Sequence, residues 1–254
     1  MDANSMLPEK GLPPEGPWIM GGRTRQERRR IQTPHCHERG QLLGTERGVF
    51  AVRTERALWM VGPGQVLWIP AGVLHEARSH GAFAGWSLYV RRESGDAPFL
   101  SSATPLFTAL ARRLTGPDWS THHARIAELL WAEFLLLPSA TLSLPWPSHP
   151  GLRRVTERLH DAPEDRRDQK DWATLAALSP RGFVRHFRAE TGLSFSAWRQ
   201  RARVLAAQAR LAGGESVTQA AYAVGYDSLG AFAAAFRAAT GYSPRAWVAR
   251  SVSR

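Results

Sequence analysis

The pattern of hydrophobic and polar residues divides the chain into a strand-rich part and a helix-rich part. From about residue 31 to residue 90, short apolar runs such as Leu58–Val61 and Val66–Ile69 alternate with turns that contain Pro and Gly. Several short strands at this spacing are typical of a small β-barrel or jelly roll. After residue 98, Leu106, Leu110 and Leu114 recur every four positions, which is the period of an amphipathic helix.

A segment near the C-terminus occurs twice, with a spacing of 49 residues between corresponding positions of Ser179–Trp198 and Ser228–Trp247. Each copy starts with a serine that can cap a helix, and Gly192 or Gly241 then supplies the left-handed residue that ends it. A shorter helix precedes each copy, and in the second copy the capping box Ser216–Gln219 opens it. Two helices joined by a tight turn form a helix-turn-helix, so the repeat predicts two stacked units of that kind.

A single long helix is predicted between the two units. Residues 194–211 contain no Gly or Pro, and Gly213-Gly214 follows them. A helix of this length spans roughly 27 Å. One turn of DNA is about 34 Å long, so two recognition helices at this spacing could enter successive major grooves on one face of DNA.

Charge and cysteine usage narrow the classes of protein that fit. The net charge is +11, and residues 151–254 hold 17 Lys and Arg against 9 Asp and Glu. Such a basic excess on the repeat is an electrostatic footprint for phosphate, although a generally basic protein would show it too. One cysteine excludes an internal disulfide framework, and we find no membrane-length apolar run and no signal peptide. We therefore expect a cytoplasmic protein.

The last hundred residues resemble the DNA-binding domain of the AraC/XylS family of bacterial transcription regulators. The matching residues include Ser179-Pro180-Arg181, the run Phe187–Gly192, Arg203, Gly225–Ser228 and Gly241–Pro244. The resemblance implies binding of double-stranded promoter DNA by two recognition helices.

The first recognition helix offers more polar groups to DNA than the second. Arg181 and Arg185 share one face, and either could reach guanine O6 and N7 or contact phosphate only. Arg188 and Arg237 lie late in their helices and are predicted to contact phosphates. The second helix begins at Ser228 and Leu229 and is poor in hydrogen-bond donors, so we expect weak discrimination through contacts to thymine methyl groups.

The strand-rich part resembles a cupin barrel. His35-Cys36-His37 with Gln41 resembles the first cupin motif, and Gly64 through Pro70-Ala71-Gly72 to His75 resembles the second. The resemblance implies a metal site at His35, His37, Gln41 and His75, although metal cupins have Glu where Gln41 stands. Three imidazoles suit one zinc, nickel, iron or copper ion, and the alternative is that these histidines form hydrogen bonds to backbone or to an organic ligand.

An effector pocket is the second candidate feature of the barrel. Ligand pockets are apolar and rich in aromatic residues, with a few polar groups. Four aromatic side chains in the barrel segment are candidates for such a lining or for the core: Phe50, Trp59, Trp68 and Trp86.

We therefore predict an α+β protein with two domains: an N-terminal cupin barrel or jelly roll with following helices, and a C-terminal all-α double helix-turn-helix. The predicted boundaries are a disordered arm at 1–17, the sensor barrel at 18–100, a helical dimerisation segment at 101–137, a linker at 138–150 and the DNA-binding domain at 151–254. The helical segment could equally pack against the barrel of its own chain.

The predicted function is a sequence-specific transcription regulator, a homodimer rather than an enzyme, whose barrel senses a small-molecule effector or a metal. One alternative is a metal-dependent cupin enzyme with an appended DNA-binding module, and another is a ligand-insensitive DNA-binding protein whose barrel only dimerises. The sequence does not identify the effector, the target genes or the direction of regulation.

Overall fold

The computed structural model describes residues 16–115, 122–138 and 142–252. The chain folds into two compact units. The first unit comprises the described residues up to Val52, from Val61 to residue 138, and from Ser251 onward. The second unit comprises Arg53–Met60 and Leu142–Arg250. Nearly all of the predicted arm at residues 1–17 lies outside the described residues.

Within the described residues the chain forms ten strands and nine helices, in an order that changes from strands to helices as predicted. The strands are β1 (Ile19–Gln26), β2 (Ile31–His35), β3 (Gly40–Arg47), β4 (Phe50–Thr54), β5 (Ala57–Val61), β6 (Gln65–Ile69), β7 (His75–Ser79), β8 (Phe83–Val90), β9 (Phe99–Ser102) and β10 (Ser143–Pro145). The helices are α1 (Pro105–Leu114), α2 (His123–Leu135), α3 (Pro150–Asp161), α4 (Gln169–Leu175), α5 (Pro180–Thr191), α6 (Phe195–Ala212), α7 (Val217–Ala223), α8 (Leu229–Thr240) and α9 (Pro244–Val252).

A five-stranded antiparallel sheet forms the main layer of the first unit, in the order β1-β8-β3-β6-β9. Leu42 of β3 lies opposite Leu88 of β8 and Trp68 of β6, and all three are buried in one core cluster with α1 and α2. Because successive strand residues point to opposite faces, the neighbouring positions Gln41 and Tyr89 share the other face of the sheet. The alternation therefore separates a core face from a face available to a site.

Helices α1 and α2 cover the core face of this sheet. The side chain of Thr104 accepts a hydrogen bond from Phe107 N and caps α1, while Pro105 occupies the first turn, where its missing N–H costs nothing. Trp131 and Phe134 of α2 pack on Trp68, with ring centroids 5.8 and 5.4 Å away. The helix pair thus packs against the barrel of its own chain, which is the alternative to dimerisation that the sequence left open.

Strands β7 and β2 lie side by side in the same unit as an antiparallel pair. The register of the antiparallel pair β2–β7 shifts between Gln32 and His35, and this irregularity places His35 opposite His75. A bulge of this kind bends its strand and redirects the side chains that follow it.

The second unit contains the two predicted helix-turn-helix units, α4–α5 and α7–α8. Gly192 and Gly241 end α5 and α8 with φ of 70° and 79°, a region that favours glycine. Helix α6 connects the two helix-turn-helix units and packs against α3, α5, α7 and α8. Its 18 residues agree closely with the predicted helix.

Part of the predicted linker at residues 138–150 is packed in the second unit; residues 139–141 lie outside the described residues. Strand β10 pairs with β5, and the following Trp146 is only 5% exposed. The Trp198 indole N–H donates to Pro145 O at 2.7 Å, and Arg201 Nη1 donates to Ser143 O at 2.9 Å. Proline is compatible with a short strand at a sheet edge, so the prolines of this segment do not exclude it from the fold.

No helix within the described residues combines the length and the hydrophobicity needed to cross a lipid bilayer.

The packing of Trp146 predicts where an independently stable DNA-binding fragment must begin. A fragment that starts at Leu142 should be more stable than one that starts at Gly151, because the shorter one loses Trp146 and leaves the buried Trp198 indole without its acceptor. Loss of a buried tryptophan side chain costs about 3–5 kcal/mol. Thermal unfolding of both fragments, followed by circular dichroism, measures the difference. Equal midpoints would show that the β10 segment does not stabilise the helices when its partner strand β5 is absent, as it is from both fragments.

Candidate effector site and nucleic-acid interface

Three histidine side chains meet at one end of the β2–β7 pair. The ring centroids of His35 and His75 are 4.5 Å apart, those of His35 and His37 4.9 Å, and those of His37 and His75 5.2 Å. One possible ligand atom from each side chain lies within 4.8 Å of those of the other two. The structure thus brings together the three histidines that the two sequence motifs single out.

Backbone carbonyls fix the tautomers of two of these rings. His35 Nδ1 lies 2.8 Å from Thr33 O, and His75 Nδ1 lies 2.8 Å from Val73 O. A carbonyl oxygen can only accept a hydrogen bond, so each Nδ1 carries a hydrogen, and Nε2 is the nitrogen with the lone pair in the neutral form of each ring. This arrangement is common for metal-binding histidines, because the carbonyl orients the ring and makes it more basic.

Burial keeps two of the histidines neutral. Removal from water, together with the nearby His75 and His35, lowers the pKa of His37 from 6.5 to about 3, while a hydrogen bond with Gln41 opposes the shift. Burial also lowers the pKa of His75, to about 4, against the opposing effect of its hydrogen bond to Val73. Both imidazoles are therefore available as neutral bases at neutral pH.

Gln41, Ser87 and Tyr89 complete the polar surroundings of the cluster. Gln41 is 3% exposed, and its Nε2 donates to Ser87 Oγ at 3.0 Å. The Tyr89 ring meets that of His37 edge to face, with centroids 4.9 Å apart. We did not single out Ser87 from the sequence, yet it lies two residues before Tyr89 on β8 and so shares its sheet face.

The donor set fits a transition-metal ion. For bonds of about 2.0–2.1 Å from metal to imidazole nitrogen, two rings on one ion have centroids roughly 4.5–5.2 Å apart when the angle at the metal is about 90–110°. The three observed centroid distances fall in that interval. Among the described residues, no carboxylate or thiol belongs to the group. No anionic ligand from these residues would therefore offset the positive charge of a bound ion.

The four aromatic residues proposed for an effector pocket do not lie together. Trp68 and Trp86 belong to the core between the sheet and α1–α2, on the opposite face from Gln41. Trp59 lies in the second unit, where it pairs with Ser143. Phe50 packs on Phe83, with ring centroids 5.2 Å apart. The sequence identified these side chains as aromatic candidates for a pocket or for the core. The register of the strands determines which face of the sheet each side chain joins.

Helix α5 presents a row of arginines to solvent. The Ser179 side chain caps it by accepting from Gly182 N at 3.1 Å, while Phe183 and Phe187 are fully buried against α6. This packing leaves three predicted DNA-binding residues exposed: Arg181, Arg185 and Arg188. Arg185 Nη2 lies 3.3 Å from His186 Nε2, and the other two make no side-chain hydrogen bond or ion pair with any described residue.

Helix α8 presents a flatter and more apolar surface. Ser228 caps it by accepting from Ala231 N at 3.2 Å, and Leu229 is 41% exposed. Arg237 is the single charged residue of this helix, and it is exposed in the last turn. Helix α8 therefore presents fewer charged groups to solvent than α5 does.

Two family models match the chain. The model described as "AraC-like ligand binding domain" matches residues 18–175, and the model described as "Helix-turn-helix domain" matches residues 172–250.

Similar proteins match most of the chain or its C-terminal part. The HTH-type transcriptional regulator NimR of Escherichia coli K12 is 31% identical over 223 residues, which cover 85% of this chain and 82% of NimR. The regulator RipA of Corynebacterium glutamicum is 34% identical over 100 residues, or 39% of this chain and 30% of RipA. The solved DNA-binding domain of AdpA, in complex with a target DNA, is 33% identical, with 39% of this chain and 90% of that chain covered and a TM-score of 0.38.

Proposed function

The chain belongs to the AraC family of DNA-binding transcription regulators, and we propose from this premise that its ligand-binding domain contains a metal-dependent effector site at His35, His37 and His75. The convergence of these three imidazoles on one point carries the proposal. A bound ion offers its remaining coordination positions to an anionic or nitrogen-donor group of an effector. The protein would thus respond to a small molecule through the ion.

Gln41 would orient the effector rather than hold the ion. Its amide is neutral, and its Nε2 already donates to Ser87. An amide binds a metal more weakly than the carboxylate that metal cupins have at this position, so the three histidines alone would supply the affinity. We expect moderate affinity and removal of the ion by chelators without unfolding of the barrel.

A regulator without catalytic activity fits these residues better than a cupin enzyme. The relatives that match are regulators, and the amide of Gln41 cannot exchange a proton as a catalytic Glu would. Turnover of any substrate by the metal-loaded protein would favour the enzyme. DNA binding that is indifferent to every ligand would favour a barrel that serves only as a dimerisation scaffold. A regulator acts where the chromosome is, so we expect this one in the bacterial cytoplasm.

The metal proposal is tested by elemental analysis of the purified full-length chain. Wild type should carry close to one zinc, nickel, iron or copper ion per chain, and His75→Ala should carry far less. Gln41→Glu should tighten binding, because a carboxylate offsets the charge of the ion. Metal-free wild type after growth in metal-replete medium, or equal metal in wild type and His75→Ala, would leave the histidines as polar contacts for an organic effector.

Arg181 and Arg185 read bases in the proposed DNA complex, whereas Arg188 and Arg237 hold phosphates. Their exposure on α5 and α8 supports these roles. Arg185→Ala should weaken specific binding by about 1–3 kcal/mol and relax base preference at one position. Arg237→Ala serves as the matched control, since it should weaken specific and non-specific binding alike and lower the salt slope by about one. Fluorescence anisotropy on both kinds of duplex measures these effects, and an equal loss on all sequences for Arg185→Ala would refute base reading.

A second copy of this chain would pack on the outer surface of α2. After α1 and α2 have covered the sheet, Leu129 stays 47% exposed and Leu136 79% exposed, and the two share one face because they are about two helical turns apart. Leu135, which is 58% exposed, lies on a neighbouring face of the helix. Exposed leucines close together on a helix are typical of a protein interface.

Leu129→Glu should therefore shift the protein from dimer toward monomer, because it introduces a charge into the apolar interface. The matched control is Leu74→Glu, which changes a leucine that is 59% exposed in the turn before β7. Sedimentation velocity at several concentrations distinguishes the two species. A wild type that is monomeric throughout, or equal dissociation of both variants, would contradict the proposed dimer surface.

A further inference from the structure

A groove of about 450 Å³ in the second unit is lined by three arginines. It lies between the first turns of α6, the segment that leads into α4, and the turn between α7 and α8. The residues that matter for its chemistry are Arg167, Phe195, Arg199, Gln200, Arg203 and Tyr226. Both helix-turn-helix units therefore contribute to its walls.

Hydrogen bonds hold these walls in place. Arg203 Nε donates to Pro163 O at 2.9 Å, and Arg199 donates to the backbone carbonyls of Asp165 and Arg167. These bonds tie the start of α6 to the segment before α4.

The turn of the second helix-turn-helix lies against the same segment. Arg166 and Asp227 form an ion pair of 2.5 Å. Gly225 has φ of 85°, and a Cβ there would lie 2.8 Å from Glu164 Cα and 2.9 Å from Arg203 Nη2. The close approach requires glycine, so the groove is a defined part of the fold rather than a gap between loose segments.

Positive charge in the groove exceeds negative charge. Asp168 is the single acidic residue among those that line it, and its carboxylate already caps α4 through Lys170 N and Asp171 N. Arg199 and Arg203 donate to neutral carbonyls, which satisfy hydrogen bonds but do not cancel charge. Burial lowers the pKa of both guanidinium groups, and repulsion by Arg203 lowers that of Arg199 further. The carboxylate of Asp165 opposes the shift of Arg199, while Tyr226, Asp227 and Glu164 oppose that of Arg203. An anion in the groove would relieve this repulsion.

Two buried hydrogen-bond donors of residues that line the groove lack partners. The Tyr226 hydroxyl and Arg199 Nε are buried and have no hydrogen-bond partner among the described residues. Burial also raises the pKa of Tyr226, so its hydroxyl stays protonated and able to donate. A buried donor without a partner costs about 1–3 kcal/mol, and a bound acceptor would recover that cost.

We propose that this groove binds a small organic anion, with a carboxylate or phosphate group between Arg199, Arg203 and Tyr226 and an apolar body against Phe195. The volume is within the range of small-molecule sites, and the concave aromatic wall suits a free ligand better than the phosphate backbone of a duplex. The site is separate from the proposed histidine site in the ligand-binding domain. Because its walls come from both helix-turn-helix units, its occupant would influence the spacing of the two recognition helices.

The test uses benzoate as the probe and benzamide as its uncharged match, both added to the full-length chain at constant ionic strength. Amide signals of the first turns of α6 and of the Tyr226 turn are followed by NMR. Benzoate should shift these signals in a saturable manner, and benzamide should bind at least tenfold more weakly.

Two variants localise the effect. Gln200→Glu places a negative charge on the exposed rim and should weaken benzoate binding about fivefold or more, the effect of one like charge nearby in water. Gln200→Ala changes the same side chain without adding charge and should bind like wild type. Tyr226→Phe removes only the hydroxyl and should also weaken benzoate binding. This variant replaces Gln200→Glu in the test if Gln200→Glu folds poorly.

Three outcomes would overturn the proposal. The first is benzoate that causes no saturable shift, and the second is equal binding by Gln200→Glu and Gln200→Ala. The third is a salt slope for binding to a non-specific duplex that is lower by about one for Gln200→Glu than for Gln200→Ala. That result would mean that the groove holds a DNA phosphate. Equal salt slopes in both variants support a free anion as the occupant.

Discussion

Helix α6 is the constraint on which the DNA-binding half of the protein depends. Trp198 near its start is covered by Phe187 of α5, Val204 and Leu211 further along it are buried, and the helix also packs against α7 and α8. A helix of 18 residues spans roughly 27 Å and has no glycine or proline at which to bend. Helix α6 thus lies between the two recognition helices and contacts both of them. A change in the surroundings of α6 would be transmitted to both.

The N-terminal unit depends on the alternation of its strands. One face of β3, β6 and β8 supplies a large aromatic core for α1 and α2, and the other face supplies Gln41, Ser87 and Tyr89. The apolar core holds the strands in place. The opposite face of the sheet can therefore contain polar side chains whose burial costs free energy. Neutral His37 and His75 are an example, because their lowered pKa values reflect an environment that excludes water.

Sequence periodicity predicted the elements and their order, because punctuation by Ser, Pro and Gly is local. The cluster of His35, His37 and His75 was implied by the resemblance of two segments to the cupin motifs, and the structure brings these residues together. The placement of Trp68 and Trp86 depended instead on sheet register, which is a long-range property that no local pattern encodes. Strand β10 was missed for a related reason: its proline is typical of a linker, and only its pairing with β5 and the acceptor it gives Trp198 make it part of the fold. The groove at Tyr226 joins residues from three separate segments and had no signal in the sequence.

We propose that α5 and α8, held apart by α6, read two adjacent major grooves unequally. Selection of high-affinity sites by the full-length chain from random duplexes of about 30 base pairs tests it most directly. The account predicts two blocks of preferred sequence about one helical turn apart on one face of DNA. One block should contain strongly preferred guanines read by α5, and the other should show a weaker preference for thymine. A single block, or two equally informative blocks, would contradict the account.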